Sequence, residues 1–294
     1  MKYTTIAVIY NPNSTGSSKQ LAETFKANLL KQAPKQKIEL IPTEYAGHAE
    51  KLAYDIATSS AHPLIFSSSG DGGYNEVING VMKAQLEGAH PIAGLLPAGN
   101  ANDHYHNLHN EDIIDQILHK EPRTIDLLTL RAKSKGKQVQ RYAHSYIGLG
   151  VTPLVGKELN KYKLTIFNEA WVVGRALLAT QSVKLKIGSK IRSYDSIIFS
   201  NVDRMSKVLT ISQPSLIDDG KFEVTIFRKR NKIKLIGMLL KTTIVGVKED
   251  KQVSEFHFTT TDATIAQLDG EILTLDAHSP VTIGIDKKSL RCIV

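Results

Sequence analysis

Residues 63–85 decide the class of fold, and their sequence is PLIFSSSGDGGYNEVINGVMKAQ. The apolar run at 63–67 predicts a strand, because a short apolar segment that ends at turn residues is typical of a buried strand. Residues 75–85 have the spacing of a helix, and a glycine-rich turn at 70–73 lies between the two. A strand, a tight turn and a helix in this order are typical of a crossover unit in a parallel sheet.

The same alternation extends to both sides of this stretch. Strands are predicted at 4–10, 37–42 and 92–96, and apolar residues at helical spacing predict helices at 21–30 and 49–57. We therefore expect residues 1–125 to form an α/β domain with a mostly parallel sheet that helices cover on both faces.

From about residue 126 onward the pattern changes to strands. They are predicted at 141–149, 183–187, 195–201, 207–212, 222–227, 255–260, 264–268, 273–275 and 281–285. Two helix-like segments, 160–179 and 232–245, interrupt the series. Short strands separated by turns predict an antiparallel β-sandwich for residues 126–294, and its last strand can return to the first domain.

Composition excludes several classes of protein. The chain has 294 residues, of which 41% are apolar and 22% charged, as in globular domains and unlike disordered, collagen-like or coiled-coil chains. The single cysteine, Cys292, can form neither an internal disulfide nor a zinc cluster. No apolar run approaches the length of about 20 residues that a membrane span needs, and no signal-peptide core is present. We therefore expect a cytoplasmic protein.

Charge is divided unevenly along the chain. Residues 1–130 hold 10 basic and 14 acidic side chains and residues 131–294 hold 27 and 15, which gives net charges of −4 and +12. The basic clusters at 131–137 and 228–234 are typical of solvated hairpin tips or strand ends. A basic half favours a phosphorylated small molecule, an anionic membrane surface or nucleic acid as partner. No nucleic-acid-binding module is recognisable, so we expect no nucleic-acid partner.

Three polar loops follow predicted strands of the first domain, at 11–18, 67–75 and 97–103. The carboxyl ends of parallel strands meet at one edge of a sheet, where ligands bind in such folds. Glycines and a helix N-terminus suit a phosphate group. Asp71 would repel a bare phosphate and favours a Mg²⁺-nucleotide, although a plain turn capped by Asp71 is the alternative. The Walker and Rossmann glycine motifs are both missing from the sequence, which argues against a P-loop enzyme or a dehydrogenase.

Three motifs occur in one order, NPNSTG at 11–16, SSGDGGYNEVING at 68–80 and LPAGNAND at 96–103. Together they resemble the diacylglycerol kinase catalytic-domain family, and the whole chain is similar to its soluble bacterial lipid kinases, whose relatives include sphingosine and ceramide kinases. The resemblance implies an ATP- and Mg²⁺-dependent kinase that phosphorylates a lipid hydroxyl, of diacylglycerol or a related lipid. It also implies that the first domain binds ATP and the second takes the lipid.

The resemblance further implies which residues contact ATP. In the first loop and after the second strand they are Asn11, Pro12, Asn13, Ser14, Thr15, Gly16 and Thr43. In the second loop they are Ser69, Gly70, Asp71, Gly72, Gly73, Asn75 and Glu76, and in the third Gly99, Asn100, Asn102 and Asp103. Asp71 would support Mg²⁺ through water.

The second and third loops depart from the family pattern, which usually has Gly-Gly-Asp-Gly-Thr and Gly-Thr-Ala-Asn-Asp. Here Gly73 and Asn100 replace the two threonines, and Ser69 replaces the first glycine. Two hydroxyls that could bond a phosphate are lost, so altered nucleotide affinity or donor preference is expected. Restoring threonine at both positions is then predicted to tighten ATP binding or raise turnover.

An Asp-Gly-Glu sequence, Asp269, Gly270 and Glu271, lies between two apolar alternating segments of the second half. By itself it is typical of a hairpin turn. The family has Asp-Gly-Glu at this place, which implies that Glu271 is the general base and that Asp269 aligns it or holds metal. A positioned carboxylate can take the proton of a lipid hydroxyl as that hydroxyl attacks the γ-phosphorus.

Two further groups of residues suggest metal binding. The resemblance implies a structural Mg²⁺ held by the side chain of Asp219 and the carbonyls of Leu216 and Lys221, and oxygen ligands suit Mg²⁺. His104, His106 and His109 have spacing that a transition metal could use, but surface histidines are the favoured interpretation.

Several alternatives to a diacylglycerol kinase stay open at this point. They are a kinase for another hydroxyl acceptor, such as a sphingoid base or NAD, and a catalytically impaired relative that binds lipid or nucleotide. We expect transient, peripheral association with an anionic membrane, because the basic half is the one that would take the lipid. A homodimer is kept as one alternative for the assembly state.

Overall fold

The computed structural model describes residues 2–14, 16–99, 102–108, 111–150, 182–202, 204–205, 209–210, 216–229 and 251–294. It divides into a first unit, Met1–Asp126 with Lys287–Val294, and a second unit, Leu127–Asp286. Among the described residues, no helix has both the length and the apolarity needed to cross a bilayer.

The first unit is an α/β fold with a parallel sheet. Its elements are β1 (Thr5–Tyr10), α1 (Ser18–Gln32), β2 (Ile38–Pro42), α2 (His48–Ser59), β3 (Pro63–Ser69), α3 (Asp71–Leu86), β4 (Ile92–Pro97), α4 (Asp103–Leu108) and α5 (Ile113–His119). The sheet has the order β2-β1-β3-β4. Near the end of the chain, Cys292 and Ile293 add a parallel segment beside β4.

Packing on both faces explains why the central strands are apolar. All seven residues of β3 are buried. On one face the rings of Phe25 and Phe66 lie 4.9 Å apart in a core that also contains Leu29. Helices α2 and α3 pack closely because Gly80 has no side chain: a β-carbon there would lie 2.2 Å from the carbonyl oxygen of Glu50.

The second unit is antiparallel. The remaining elements along the chain are β5 (Arg123–Ser134), β6 (Lys137–Ala143), β7 (Tyr146–Gly150), β8 (Val183–Ile187), β9 (Lys190–Ser200), β10 (Arg204–Met205), β11 (Leu209–Thr210), β12 (Phe222–Arg228), β13 (Lys251–Val253), β14 (Glu255–Thr260), β15 (Thr264–Leu268), β16 (Glu271–Leu275) and β17 (Pro280–Ile293). The part of β5 up to Asp126 and the part of β17 from Lys287 belong to the first unit. The main order is β16-β15-β7-β9-β8-β14-β17. Strand β12 pairs with β9 and β13, while β5 pairs with β17 and β6.

One apolar core holds these antiparallel strands together. The rings of Phe199, Phe256 and Phe258 pack against one another, with Phe199 and Phe256 5.2 Å apart. Strands β16 and β17, which lie at opposite ends of the strand order, both contribute side chains to this core. This is expected where two sheets stack face to face in a sandwich. The predicted fold class, an α/β fold plus an antiparallel β-sandwich, is therefore confirmed.

The predicted elements differ from the observed ones in a few places. The single strand predicted at 141–149 is wrong, because His144 and Ser145 separate β6 from β7. The backbone N–H groups there bond the carboxylate of Asp269. Helix α3 begins at Asp71, four residues before the predicted start, and the prediction contained neither α4, α5 nor β5.

Some predicted elements lie outside the described residues. These are the helix-like segments 160–179 and 232–245 and most of the strand 207–212, of which only Leu209 and Thr210 are described. The basic cluster at 131–137 forms the exposed end of the β5–β6 hairpin, as predicted.

Candidate active site

Three loops of the first unit meet at the carboxyl edge of the parallel sheet. A β-carbon on Gly16, after β1, would lie 2.5 Å from the carbonyl oxygen of Ala98, after β4. A β-carbon on Gly99 would lie 2.3 Å from the α-carbon of Gly70, after β3. Backbone therefore contacts backbone at both places, and any side chain would push the loops apart.

The first loop is held in a turn by Asn11. Its side-chain oxygen accepts a hydrogen bond from the backbone N–H of Asn13 at 2.9 Å, and its carbonyl accepts the N–H of Ser14 at 3.1 Å. The side chains of Asn11, Pro12 and Asn13 are exposed at this edge. Thr15, a predicted ATP contact, lies outside the described residues.

The second loop leads into the 16-residue helix α3. Gly70 is its N-cap and, as a glycine, makes no side-chain hydrogen bond to the first N–H groups of the helix. The first N–H groups of a helix lack partners within the helix and are partially positive, so they favour an anion. A glycine-lined edge at the start of a helix fits the phosphates of a nucleotide.

Asp71 joins the second loop to the third. Its two carboxylate oxygens accept the backbone N–H groups of Asp103 at 3.1 Å and His104 at 3.3 Å, at the start of α4. The aspartate thus holds the neighbouring loop, and a role toward Mg²⁺ through water is compatible with these bonds. The described residues contain no cluster of three His, Cys, Asp or Glu side chains able to hold a metal ion. In nucleotide sites Mg²⁺ commonly has one or two carboxylates together with phosphate and water as ligands.

The third loop is closed by Asn102. Its amide accepts from the N–H of Gly99 and donates to the carbonyl of Gly99, both at 2.9 Å. This residue has φ of 51°, a conformation that asparagine tolerates better than most side chains. Asp103 beside it is buried, and Asn100 lies outside the described residues.

Three other predicted ATP contacts have clear structural surroundings. The carboxylate of Glu76 accepts the N–H groups of Gly47 at 3.0 Å and Ala49 at 3.2 Å, so it fixes the start of α2. Asn75 is fully buried in α3. Thr43 donates its backbone N–H to the carbonyl of Tyr10 at 2.9 Å and lies at the same edge of the sheet.

Ser69 and Gly73 are complementary in space. A β-carbon on Gly73 would lie 2.5 Å from the Ser69 hydroxyl oxygen and 2.7 Å from its β-carbon. The family pattern has glycine at the first of these positions and threonine at the second. In this chain the first position, Ser69, has the side chain and the second, Gly73, has none. The Ser69 hydroxyl lies beside the position at which residue 73 has none. The expectation that the missing hydroxyl alters nucleotide binding stays a prediction.

The first histidine after the third loop does not lie at the surface. His104 is fully buried and packs against Tyr74 with ring centroids 5.1 Å apart, which corrects the expectation that it is exposed. Its burial follows from α4, whose first turn Asp71 holds against α3. His106 is exposed, and His109 lies outside the described residues.

In the second unit, Asp269 is a buried carboxylate in the turn between β15 and β16. It is 1% exposed and accepts the backbone N–H groups of His144, Ser145 and Tyr146. The Nε2 atom of His144 lies 3.4 Å from its Oδ2. Burial raises the pKa of Asp269 to about 7, although the three N–H donors act in the opposite direction. Because N–H donors occupy its oxygens, the surroundings of Asp269 favour alignment of the turn over metal binding.

Glu271 begins β16 two residues later and is paired with Arg141 of β6. One guanidinium nitrogen, Nη2, donates to both carboxylate oxygens at 2.8 Å. The two side chains are 18% and 27% exposed, so the carboxylate is accessible yet held in one orientation. Sequence reasoning did not include Arg141 or His144, because each lies more than 120 positions from its partner and neither belongs to a motif.

The predicted structural Mg²⁺ site lies in an exposed turn before β12. Asp219 accepts the N–H of Lys221 at 2.9 Å and the side-chain N–H of Gln252 at 3.2 Å. The side chains of Leu216 and Lys221 are exposed, and Gly220 has φ of 75°. The donor set consists of oxygens, which suits Mg²⁺.

Comparison with known proteins agrees with this geometry. Residues 5–130 match the diacylglycerol kinase catalytic domain. The chain is 24% identical to a diacylglycerol kinase of Staphylococcus saprophyticus over 96% of both chains. It is 27% identical to a diacylglycerol kinase of Bacillus subtilis over 78% of this chain and 75% of that one.

The fold is shared with a solved structure. The crystal structure of a diacylglycerol kinase from Bacillus anthracis matches 100% of this chain and 97% of its own, with a TM-score of 0.67 and 16% sequence identity. The matched domain, the glycine-lined loops and the full-length relatives agree with one another. Over residues 5–130 the chain is similar to the diacylglycerol kinase catalytic domain, and the protein is a kinase, a phosphotransferase that acts on an alcohol group.

Proposed function

We propose that this protein is a lipid kinase that uses ATP and Mg²⁺ to phosphorylate the hydroxyl group of diacylglycerol or a related neutral lipid. The observation that supports it most strongly is the meeting of three loops around the start of α3. That edge offers backbone N–H groups and no side-chain obstruction at Gly70 and Gly99, as a triphosphate needs.

In the proposed mechanism the first unit positions the donor. The N–H groups at the start of α3 bind phosphate oxygens, and Asn11 and Asn102 keep the first and third loops in place. Asp71 holds the third loop, and its carboxylate would hold a Mg²⁺ ion through water. Mg²⁺-ATP, when bound, supplies the phosphoryl group and neutralises the charge that develops during transfer.

The second unit supplies the base. Glu271 takes the proton from the lipid hydroxyl, which becomes a better nucleophile toward phosphorus. Arg141 keeps both carboxylate oxygens of Glu271 in a fixed orientation. Asp269 fixes the turn on which Glu271 lies by accepting the three N–H groups of residues 144–146.

We also propose that the protein works in the cytoplasm and reaches its lipid by transient attachment to an anionic membrane. The β8–β9 hairpin fits this role, since Lys184, Lys186, Lys190 and Arg192 are exposed along it and Ile191 is 63% exposed near its tip. Basic side chains beside an exposed apolar one are suited to an anionic lipid surface. A structural Mg²⁺ at Asp219 and a homodimeric assembly belong to the same proposal.

A transfer assay tests the proposed function. The protein is incubated with γ-labelled ATP, Mg²⁺ and a panel of diacylglycerols, sphingoid bases, total lipid extract and NAD. Label in the diacylglycerol fraction supports the proposal. Label in NAD with none in any lipid would overturn it.

A further inference from the structure

The loop between β2 and α2 presents an aromatic side chain to solvent. The side chain belongs to Tyr45, which is 58% exposed. One face of its ring lies on the ring of His48, with the two centroids 4.5 Å apart and the two planes inclined by only 9°. The exposed area is therefore the opposite face of the tyrosine ring and its edge. We call this pair of rings the aromatic platform.

Hydrogen bonds hold the supporting ring of the platform in one orientation. The Nδ1 atom of His48 accepts the backbone N–H of Glu44 at 3.1 Å, and the backbone N–H of His48 donates to the carbonyl of Tyr45 at 3.1 Å. An Nδ1 atom that accepts a hydrogen bond has no proton, so the His48 ring is neutral and its proton is on Nε2. Side chains that are already ordered lose little conformational freedom when a ligand packs on them, so the platform is pre-organised for a flat ligand.

The platform lies at the same edge of the sheet as the three loops. Tyr10 and Pro42 are paired at the ends of β1 and β2, and Thr43 donates its backbone N–H to the carbonyl of Tyr10. The loop that contains Tyr45 therefore begins beside the first loop, at Asn11. Strand β3, which leads to the start of α3, is separated from β2 by β1. Neighbouring strands are about 4.8 Å apart, so the ends of β2 and β3 are roughly 10 Å apart.

Glu76 connects the platform to the helix whose start would bind phosphate. Its carboxylate accepts the backbone N–H groups of Gly47 and Ala49, the two residues that flank His48. Glu76 comes five residues after Asp71, the first residue of α3. A helix rises about 1.5 Å per residue, so this connection lies roughly 7.5 Å along the helix from its start. The platform is thus held at a fixed distance from the phosphate edge.

Position and chemistry together favour a nucleobase as the ligand of the platform. In a nucleotide the ribose separates the base from the phosphates, so a site for the base must lie beside the phosphate-binding loops and not among them. Every nucleobase has a flat face that stacks on an aromatic ring. A phosphate group has no such face, and the platform therefore has a different task from the glycine-lined edge next to it.

We propose that the aromatic platform stacks on the nucleobase of the donor nucleotide, with Tyr45 contacting the base and His48 supporting the tyrosine ring from behind. This inference rests on the proposed function and adds a residue that determines the affinity for the donor. Because Tyr45 would contact the base alone, a triphosphate without a base should bind independently of this residue.

Isothermal titration with two probes, Mg²⁺-ATP and Mg²⁺-tripolyphosphate, tests the platform, since tripolyphosphate has three phosphates and no base. Tyr45→Ala should weaken ATP binding roughly fivefold to a hundredfold, as the loss of a base–aromatic stack does, and leave tripolyphosphate binding unchanged. Tyr45→Phe should bind ATP like wild type, because phenylalanine keeps the ring. Leu86→Ala is the control, since Leu86 is 76% exposed and is the last residue of α3, at the opposite end from the phosphate edge.

Each variant should keep the melting temperature of wild type, because the replaced side chains are largely exposed. Equal ATP affinity in wild type and Tyr45→Ala overturns the inference, and so does an equal loss of affinity for ATP and tripolyphosphate. If Tyr45→Ala weakens ATP binding alone but wild type phosphorylates no lipid, the inference stands and the proposed function fails. If wild type phosphorylates a lipid and Tyr45→Ala binds ATP equally well, the proposed function stands and the inference fails.

Discussion

The side chain of Ser69 fills the space that a side chain at Gly73 would need: a β-carbon at residue 73 would lie 2.5 Å from the Ser69 hydroxyl oxygen. That hydroxyl also lies 2.6 Å from the Ser67 hydroxyl and donates to the carbonyl of Gly70 at 2.9 Å. The residues at 69 and 73 therefore compete for the same space. A side chain at residue 69 requires glycine at residue 73, which accounts for both departures from the family pattern in this loop.

Threonine at residue 73 should therefore be tolerated only when residue 69 is changed to glycine. Gly73→Thr alone should lower the free energy of unfolding by about 1–3 kcal/mol through overpacking. Adding Ser69→Gly should restore most of that loss and keep ATP binding at the wild-type level or tighter. Urea unfolding of both single variants and the double variant measures the coupling. Additive effects of the two changes would show that the residues are independent.

Asp71→Asn should weaken ATP binding about tenfold or more, because an amide provides one acceptor where the carboxylate accepts two backbone N–H groups of the third loop. Isothermal titration with Mg²⁺-ATP measures the effect. Asp112→Ala is the control, since one carboxylate oxygen of Asp112 accepts two N–H groups at the start of α5 in the same unit and alanine removes both bonds. Both variants should lose similar stability, and equal ATP affinity in the two would refute a specific role for Asp71.

The buried Asp269 should make stability depend on pH. Its pKa is about 7 in the folded chain against an ordinary 3.8, so the folded state keeps a proton that the unfolded chain releases. Its stabilising contribution is complete below pH 3.8 and is lost as pH rises through about 7, by at most about 1.4 kcal/mol per pH unit. Denaturant titrations of wild type and Asp269→Asn between pH 4 and 8 isolate this contribution. A constant difference between the two proteins over that range would contradict it.

Membrane attachment through the β8–β9 hairpin should depend on charge. Lys184→Gln with Lys186→Gln should weaken binding to phosphatidylglycerol vesicles by roughly fivefold per lysine, from about 1 kcal/mol each. Wild type should sediment with these vesicles at low salt and leave them near 1 M, where the screening length falls to about 3 Å. Lys31→Gln with Lys35→Gln, two exposed lysines of the first unit, is the control. Binding that is equally strong to phosphatidylglycerol and phosphatidylcholine vesicles and does not change with salt would contradict this prediction.

Local patterns were enough to predict the fold class and most of the sheet. Strands such as β1 and β3 are apolar on both faces, and their loops are rich in glycine, so their order and type can be recognised without any contact information. The start of α3 was misplaced because its first turn contains Gly72 and Gly73, which favour a loop by propensity. The helix forms there because it packs against β3 and the third loop.

The candidate site was predictable only where it is local. The three phosphate-edge loops could be found because each directly follows a strand of one parallel sheet. Two pairings of the site could not be predicted. Glu271 bonds Arg141, and Asp269 bonds residues 144–146, so each pairing joins segments far apart in the sequence that share no motif. The break between β6 and β7 has the same origin, because Asp269 takes the N–H groups that a continuous strand would use.

Phosphoryl transfer by Glu271→Gln tests the central claim most directly. Glutamine keeps an oxygen to which Arg141 can donate but cannot take a proton from the lipid hydroxyl. With γ-labelled ATP and dioctanoylglycerol, the variant should transfer at least about a hundredfold more slowly than wild type while binding ATP almost equally well. Turnover within about threefold of wild type would remove Glu271 from the mechanism and contradict the account.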